Sequence, residues 1–313
     1  MTQPCIFLMG PTASGKTDLA VTLVKQFPCE IISVDSAMVY RGLDIGTAKP
    51  SADILAQAPH RLLNIRDPAE IYSAAQFRED AIEEIQAIRA LGRIPLLVGG
   101  TGLYFRALQY GLSDLPSANA EVRSCLTQEA EHIGWQGLHE RLAQLDPVAA
   151  HRIHPSDAQR IQRALEVYAL TGYTVTEWYA HPTAQPWSES IVKIVLAPAQ
   201  RDTLHARIAH RFQEMLMQGL VEEVRELLKR SDLHPKLPAL RAVGYRQVVR
   251  YLTGEIDYAT MTELAIIATR QLAKRQLTWL RSEKEGQWFT SLSANGTQQV
   301  LEYLTGFIHQ NKD

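Results

Sequence analysis

The sequence has few cysteines, no excess of either charge and no long apolar run. Its three cysteines, Cys5, Cys29 and Cys125, are scattered through 313 residues without a C-x-x-C pair. That spacing excludes a zinc ribbon and argues against a disulfide framework. Lysine and arginine number 32 and aspartate and glutamate 34, for a net charge of −2. Bulk composition therefore gives no argument for nucleic acid, and any such partner must be met by a local patch. No apolar stretch approaches the roughly 20 residues of a membrane helix. The first residues lack the basic-then-apolar pattern of a secretion signal. Repeats, low-complexity segments and an N-K-x-D guanine motif are also missing. With 46% hydrophobic and 21% charged residues, the composition is that of an ordinary globular protein. A reduced, cytoplasmic, enzyme-like protein is expected, long enough for one large α/β domain and a smaller insert.

What is present begins at residue 10. Gly10, Pro11, Thr12, Ala13, Ser14, Gly15, Lys16 and Thr17 satisfy G-x-x-x-x-G-K-[ST] at every fixed position. The apolar run Cys5–Met9 precedes them and a helical pattern, Asp18 to Gln26, follows. Strand, glycine turn and helix are the context in which this motif cradles polyphosphate. Turn amides and the positive end of the helix dipole converge on one point. Lys16 adds a compact charge there, and Thr17 offers a hydroxyl to Mg²⁺. ATP is the commonest guest of such a loop, but other diphosphates with Mg²⁺ fit the same geometry.

Glu30–Val34 reads as a buried parallel strand ending in Asp35 and Ser36. A carboxylate at the carboxyl end of such a strand sits where α/β sheets place their ligands. It is either a holder of a Mg²⁺-bound water or a general base for an acceptor nucleophile. Tyr40–Pro50, with two glycines and a proline, reads as an ordered loop beside the phosphate site, where Arg41 and Lys49 are surface charges or anion contacts. Arg61–Ile65 is expected as a strand, Ser73–Leu91 as a helix and Ile94–Val98 as a strand. The last runs into a second glycine-rich turn, Gly99–Tyr104. There Thr101 either caps the next helix or reaches into the site.

From 113 to 189 strand patterns vanish and helical ones take over, over 119–132, 135–145, 157–171 and 174–179. This predicts an all-helical insert within the α/β core, the core comprising 1–112 and 190–313. Within the insert, Gln159, Arg160, Gln162 and Arg163 lie on about one and a half helical turns. Such a group is either a solvated face or a set of phosphate and base contacts. A strand returns at Ser190–Leu196, then a helix at 201–218 bearing Arg207 and Arg211. Leu240–Arg246 is a short basic turn. The helix at 259–281 carries Arg270, Lys274, Arg275 and Arg281, with no acidic residue from Leu264 through Ser282. Arg270, Lys274 and Arg281 fall within about 40° of one another at 100° per residue. That basic ridge favours a nucleic-acid partner, with a salt-bridged surface as the alternative.

In order along the chain, the phosphate loop, Asp-Ser-x-x-Val-Tyr-Arg-Gly-x-Asp-Ile-Gly-Thr-Ala-Lys-Pro, Val-Gly-Gly-Thr-Gly-Leu-Tyr, Gln-Arg-x-x-Arg-Ala-Leu-Glu-Val, Val-Gly-Tyr-Arg-Gln and Thr-Arg-Gln-Leu-Ala-Lys-Arg-Gln-x-Thr-Trp-Leu-Arg resemble the bacterial tRNA dimethylallyltransferase family. The resemblance spans Gly10 to Arg281. It implies an α/β fold with a P-loop NTPase-like core, a parallel sheet and an inserted helical domain. It further implies transfer of a dimethylallyl group from dimethylallyl diphosphate to N6 of adenosine 37, next to the anticodon of tRNAs whose codons begin with U. Under it, Gly10 to Thr17 bind the diphosphate with Mg²⁺, and Thr17 reaches the metal directly or through water. Lys16 and Thr17 lie nearest the leaving group, Asp35 accepts the N6 proton and Thr101 touches the reacting centre.

Contacts to the tRNA anticodon stem-loop are implied for Asp35, Ser36, Ala37, Met38, Thr101, Arg123, Gln159, Arg160, Ile161, Gln162, Arg163, Arg241, Gly244, Tyr245, Arg246, Lys274, Arg275, Gln276, Thr278, Trp279 and Arg281. Many members have Gln where this chain has Met38, and methionine cannot donate that hydrogen bond. The implied partners are tRNA and the prenyl diphosphate, with no membrane and a monomeric chain. The resemblance leaves open which of Arg207, Arg211 and Arg225 meets the diphosphate. A P-loop kinase of a small molecule or nucleoside shares the strand and loop features. A small acceptor gives the basic ridge no purpose. A non-catalytic RNA-binding switch would leave Asp35 without a task.

Overall fold

The computed structural model describes residues 4–112, 115–180, 187, 189–283, 285–291 and 294–310. The chain forms two compact units, 1–108 with 188–313 and 109–187. The second unit compares with the insert expected at 113–189, whose first residue lies outside the described ones.

In the first unit, β1 (Cys5–Met9), α1 (Lys16–Gln26), β2 (Cys29–Val34), α2 (Ala52–Gln57), β3 (His60–Arg61), α3 (Ala74–Ala90), β4 (Ile94–Gly99) and α4 (Gly102–Tyr110) follow in order. The second unit holds α5 (Ala120–Leu145), α6 (Pro147–Arg152), α7 (Ala158–Thr171) and α8 (Val175–Ala180). The first then resumes with β5 (Ile191–Ala197), α9 (Arg201–Met217), α10 (Leu220–Leu228), α11 (Tyr245–Leu252), α12 (Tyr258–Leu280), β6 (Gln287–Thr290) and α13 (Ala294–Gln310).

The six strands form one parallel sheet in the order β3-β2-β4-β1-β5-β6. Parallel strands covered on both faces must be apolar throughout. Every residue of β1 and β4 is indeed buried. Because β4 lies between β1 and β2, the turns after these three strands sit side by side. Such a crossover point opens a crevice at the carboxyl ends of the strands.

Several local expectations change. The strand expected over Arg61–Ile65 stops at Arg61, since Leu62 (φ 60°) and Asn64 (φ 57°) turn into the left-handed region. The helices expected at 119–132 and 135–145 are the two arms of α5, broken at Gly134, where φ is 73° and ψ 163°. The basic turn at Leu240–Arg246 ends as the first residues of α11. The short helices α2 and α6 and the amphipathic helix α10, which buries Leu220, Val224 and Leu227, are additions to the expected elements. In the second unit, apolar side chains such as Leu138, Leu142, Ile161 and Leu165 form a core of their own. Burial pushes the thiols of Cys5 and Cys29 up to about 12, so both are inert packing groups. Among the described residues no helix is long and apolar enough to cross a membrane.

Candidate active site at the carboxyl ends of the strands

The phosphate loop leaves β1 and enters α1 through Gly15, which is left-handed at φ 86° and donates no side-chain cap. The first amides of α1 thus remain open to an anion. Gly10 has no room for a side chain, since a Cβ there would meet the Leu196 carbonyl at 2.3 Å. Lys16 Nζ donates to the Pro11 carbonyl at 2.6 Å and lies 3.5 Å from Ser14 Oγ. The Lys16 pKa is lowered to about 7, by desolvation first and then by Arg211, with Asp35 acting in the opposite direction.

Helix α9 brings two arginines to this loop. Arg207 Nε donates to the Ala13 carbonyl at 2.9 Å. Arg211 also faces the loop, and its pKa is lowered by burial and by Arg207 while Asp35 raises it. Arg225 takes no part: it pairs with Glu222 on its own helix, and neither is in the cavity walls.

Asp35 follows β2. Its Oδ1 accepts the amides of Ala37 at 2.8 Å and Met38 at 3.2 Å, which folds the turn back on itself. No described residue donates to Oδ2. Thr101 follows β4, and its hydroxyl accepts the Ser36 amide at 3.3 Å. The helix-capping role weighed for Thr101 falls to its backbone, whose carbonyl accepts the Tyr104 amide at 2.9 Å. The approach of these turns needs Gly99, where a Cβ would stand 2.0 Å from the Val34 carbonyl.

Two cavities meet here. One, of about 850 Å³, is lined by Ser14 to Thr17, Met38, Lys49, Arg207 and Arg211. The other, of about 610 Å³, is lined by Ser36, Ala37, Thr101, Arg106, Arg241, Tyr245, Arg275 and Trp279, with apolar Ile208, Phe212, Met215 and Leu272. Thr12, Ala13, Asp35, Thr47, Gly100, Arg211 and Gln276 belong to both walls. Asp35 therefore stands in the wall common to the chamber over the phosphate loop and the second, apolar and basic one.

The loop from Tyr40 to Pro50 is held by Glu223, which the sequence did not single out, and by Lys49 and Tyr245 in roles it did not foresee. Glu223 of α10 accepts the amides of Asp44, Ile45 and Gly46 at 3.0, 2.7 and 3.2 Å. A Cβ at Gly46 would press on the Tyr245 ring at 2.5 Å. Lys49, expected as a surface charge or an anion contact, has a side chain that is 4% exposed. It donates to Tyr40 O at 2.9 Å, Asp44 Oδ1 at 2.5 Å and Asn64 Oδ1 at 2.6 Å. Arg41 is exposed and pairs loosely with Asp67 at 3.9 Å.

Other predicted contacts are sorted by burial. Arg241, Arg246, Lys274, Arg275, Thr278 and Arg281 are exposed, while Gly244 and Tyr245 are buried. Gln159 and Arg160 are exposed on α7. Ile161 is 0% exposed and belongs to the core of the second unit, so its placement among the tRNA contacts is corrected: a side chain packed on all sides reaches no partner. Arg123 Nε and Nη2 bond the fully buried Glu166 at 2.8 and 3.0 Å, and Arg163 Nη1 joins at 2.7 Å. Gln162 Nε2 donates to Arg123 O and Thr127 Oγ1. Met38 lines the phosphate chamber alone, with Ser33 Oγ 3.9 Å from its sulfur.

On α12, Thr269, Leu272, Arg275, Gln276 and Trp279 face the smaller chamber. The ridge of Arg270, Lys274 and Arg281 is roughly half a turn away from that face. Trp279 lies over Gly102, where a Cβ would touch its ring at 2.5 Å, and stacks on Phe105.

Residues 38–283 match the family model described as IPP transferase. The chain belongs to the IPP transferase family. A relative named tRNA dimethylallyltransferase, from Thioalkalivibrio sulfidiphilus (strain HL-EbGR7), is 61% identical over 282 residues, 90% of this chain and 88% of that one. The full-length tRNA isopentenylpyrophosphate transferase of Bacillus halodurans superposes with a TM-score of 0.72 at 35% identity, covering 99% of this chain and 98% of that one. A eukaryotic dimethylallyltransferase described as acting on tRNA gives 0.81 at 25% identity, covering 98% and 80%. Membership of the IPP transferase family accounts for a phosphate loop in a chain whose second chamber is built of apolar and basic side chains.

Proposed function

We propose that this chain transfers a dimethylallyl group from dimethylallyl diphosphate to N6 of adenosine 37 in tRNAs reading codons that begin with U. The position of Asp35 in the wall common to both chambers carries this reading. The donor diphosphate lies in the phosphate loop and the target base enters the apolar chamber. The exocyclic amine of adenine is a weak nucleophile because its lone pair is delocalised into the ring. Asp35 takes the N6 proton as nitrogen bonds to the allylic carbon, and the carbon–oxygen bond to diphosphate breaks. Lys16, Arg211 and the open amides of α1 stabilise the charge gathering on the leaving group.

Mg²⁺ fits the same loop. Thr17 lines the phosphate chamber, and its hydroxyl has no hydrogen-bond partner among the described residues. No group of three His, Cys, Asp or Glu among them could hold a metal alone. One hydroxyl, with phosphate oxygens and water supplying the rest, suits this hard cation. When bound it neutralises diphosphate charge.

The base leaves the anticodon loop stack to reach the chamber, the usual mode for single-stranded RNA recognition. Arg106, Arg241 and Arg275 supply cations at the chamber, and the insert adds Gln159 and Arg160 as tRNA contacts. The proposal takes the chain to act as a monomer in the cytoplasm.

The deciding experiment mixes purified protein, labelled dimethylallyl diphosphate, Mg²⁺ and unmodified tRNA with adenosine at positions 36 to 38. Label in the tRNA, lost when adenosine 37 is replaced, is the expected result. Phosphate transfer from ATP to a small acceptor, with no label in tRNA, would overturn the proposal.

A further inference from the structure

Helix α12 bonds to both glycine-rich turns through one side chain. Gln276 is half-buried, and its Oε1 accepts the Thr12 amide at the tip of the phosphate loop at 2.9 Å. Its Nε2 donates to the Gly100 carbonyl at 3.0 Å. The pair fixes the amide's orientation, since the reverse would set NH₂ against N–H and oxygen against oxygen. The fit is close, for a Cβ at Gly100 would come within 2.4 Å of Nε2. Gly100 precedes Thr101, whose hydroxyl holds Ser36 beside Asp35. Along the same helix, Ala273 packs with Ala13 of the phosphate loop.

The family resemblance implies a tRNA contact for Gln276. Its polar atoms are instead committed to the protein's own backbone. We infer that Gln276 is a positioning residue for the prenyl donor: it sets the phosphate-loop tip against the turn after β4, so that the leaving oxygen, the allylic carbon and Asp35 come into line. This rests on the prenyl-transfer reading above. A tRNA contact acts on tRNA affinity, whereas this residue acts on donor binding and turnover.

Two variants test it, after thermal melting shows that each is folded. Q276A removes both bonds. It is expected to weaken binding of Mg²⁺–pyrophosphate about tenfold, read by calorimetry without turnover. Transfer kcat should fall as well, while the tRNA Kd stays within about twofold. In Q276E the ionised carboxylate sets an oxygen against Gly100 O and brings negative charge to the diphosphate. Protonated, it regains one acceptor and one O–H donor, the pattern of the carboxamide. Pyrophosphate affinity of Q276E, taken relative to the unaltered protein at each pH, should therefore rise as pH falls through the ordinary glutamate range, about 4 to 5.

Unchanged pyrophosphate affinity in Q276A together with weaker tRNA binding would overturn the inference. So would a Q276E-to-unaltered affinity ratio that does not move with pH. If the unaltered protein binds pyrophosphate but prenylates no tRNA, the transfer reading fails, and both binding comparisons still decide the role of Gln276.

Discussion

The Tyr245 hydroxyl donates to Glu223 Oε1 at 2.5 Å, and that carboxylate also accepts three successive amides of the loop at Asp44–Gly46. Two motifs far apart in sequence are thereby one structural unit. Glu223→Ala leaves these amides and the Tyr245 hydroxyl without their acceptor and is expected to cost about 3 kcal/mol in a denaturant titration. Tyr245→Phe loses one charge-assisted bond and should cost about 2 kcal/mol. Equal stability of both variants and the unaltered protein would show that the clasp does not hold the loop.

Asp35→Asn keeps an oxygen able to accept the Ala37 and Met38 amides, so the turn should survive. Loss of the basic carboxylate should lower prenyl transfer by about 10² or more. The tRNA Kd should change by no more than a few fold. Turnover at the unaltered rate would remove Asp35 from the chemistry.

Proton uptake should accompany diphosphate binding. The Lys16 pKa is lowered from its ordinary value of 10.5 to about 7, mainly by desolvation. Between these values the unfolded chain binds more protons, so this group makes stability rise with pH across that window. An anion in the loop favours the charged form and reverses the shift. At about pH 8, calorimetry in two buffers of different ionisation enthalpy should therefore show protons taken up with pyrophosphate. Binding heats independent of buffer would contradict this. Affinity should weaken as pH rises above about 7.

Arg123 is expected to matter first for the insert's stability. Burial pushes the Glu166 carboxyl up, but Arg123, Arg163 and the Asn119 amide outweigh it, and the pKa lies below the ordinary value. Arg123→Ala removes one of two paired cations from a buried carboxylate, at a cost of about 3 kcal/mol. Because the folded carboxyl is the stronger acid, this stabilisation is present above the ordinary carboxylate range and is lost as pH falls through the lowered pKa. Acid titration of unfolding, with and without the substitution, reads both effects. A variant as stable as the unaltered protein but weak in tRNA binding would restore the simple contact role.

The phosphate loop was legible because its function depends on backbone geometry at fixed spacing, which glycine, lysine and threonine announce locally. The buried strands were legible for a similar reason, since a parallel sheet demands unbroken apolar runs. The burial of the Lys49 side chain was not legible because a lysine's exposure is not a local property: the Asp44 carboxylate, with the Tyr40 carbonyl and the Asn64 amide oxygen, draws its ammonium inward. Glu223 gave no signal, and Gln276 was marked only by the family resemblance and for a different role, for a lone carboxylate or amide on a helix looks like any solvated residue until the fold brings backbone amides and carbonyls to it.

By itself the sequence determined the α/β class, the helical insert, the phosphate-loop motif and the family. These rest on periodicity and on contiguous motifs, where the chain's own geometry fixes the neighbours. Only the tertiary structure decided that Arg207 and Arg211, not Arg225, face the loop, that Ile161 is core, and that Asp35 stands between two chambers. Each depends on which face of a helix or end of a strand meets another element, and such meetings are set by packing between residues far apart in the chain.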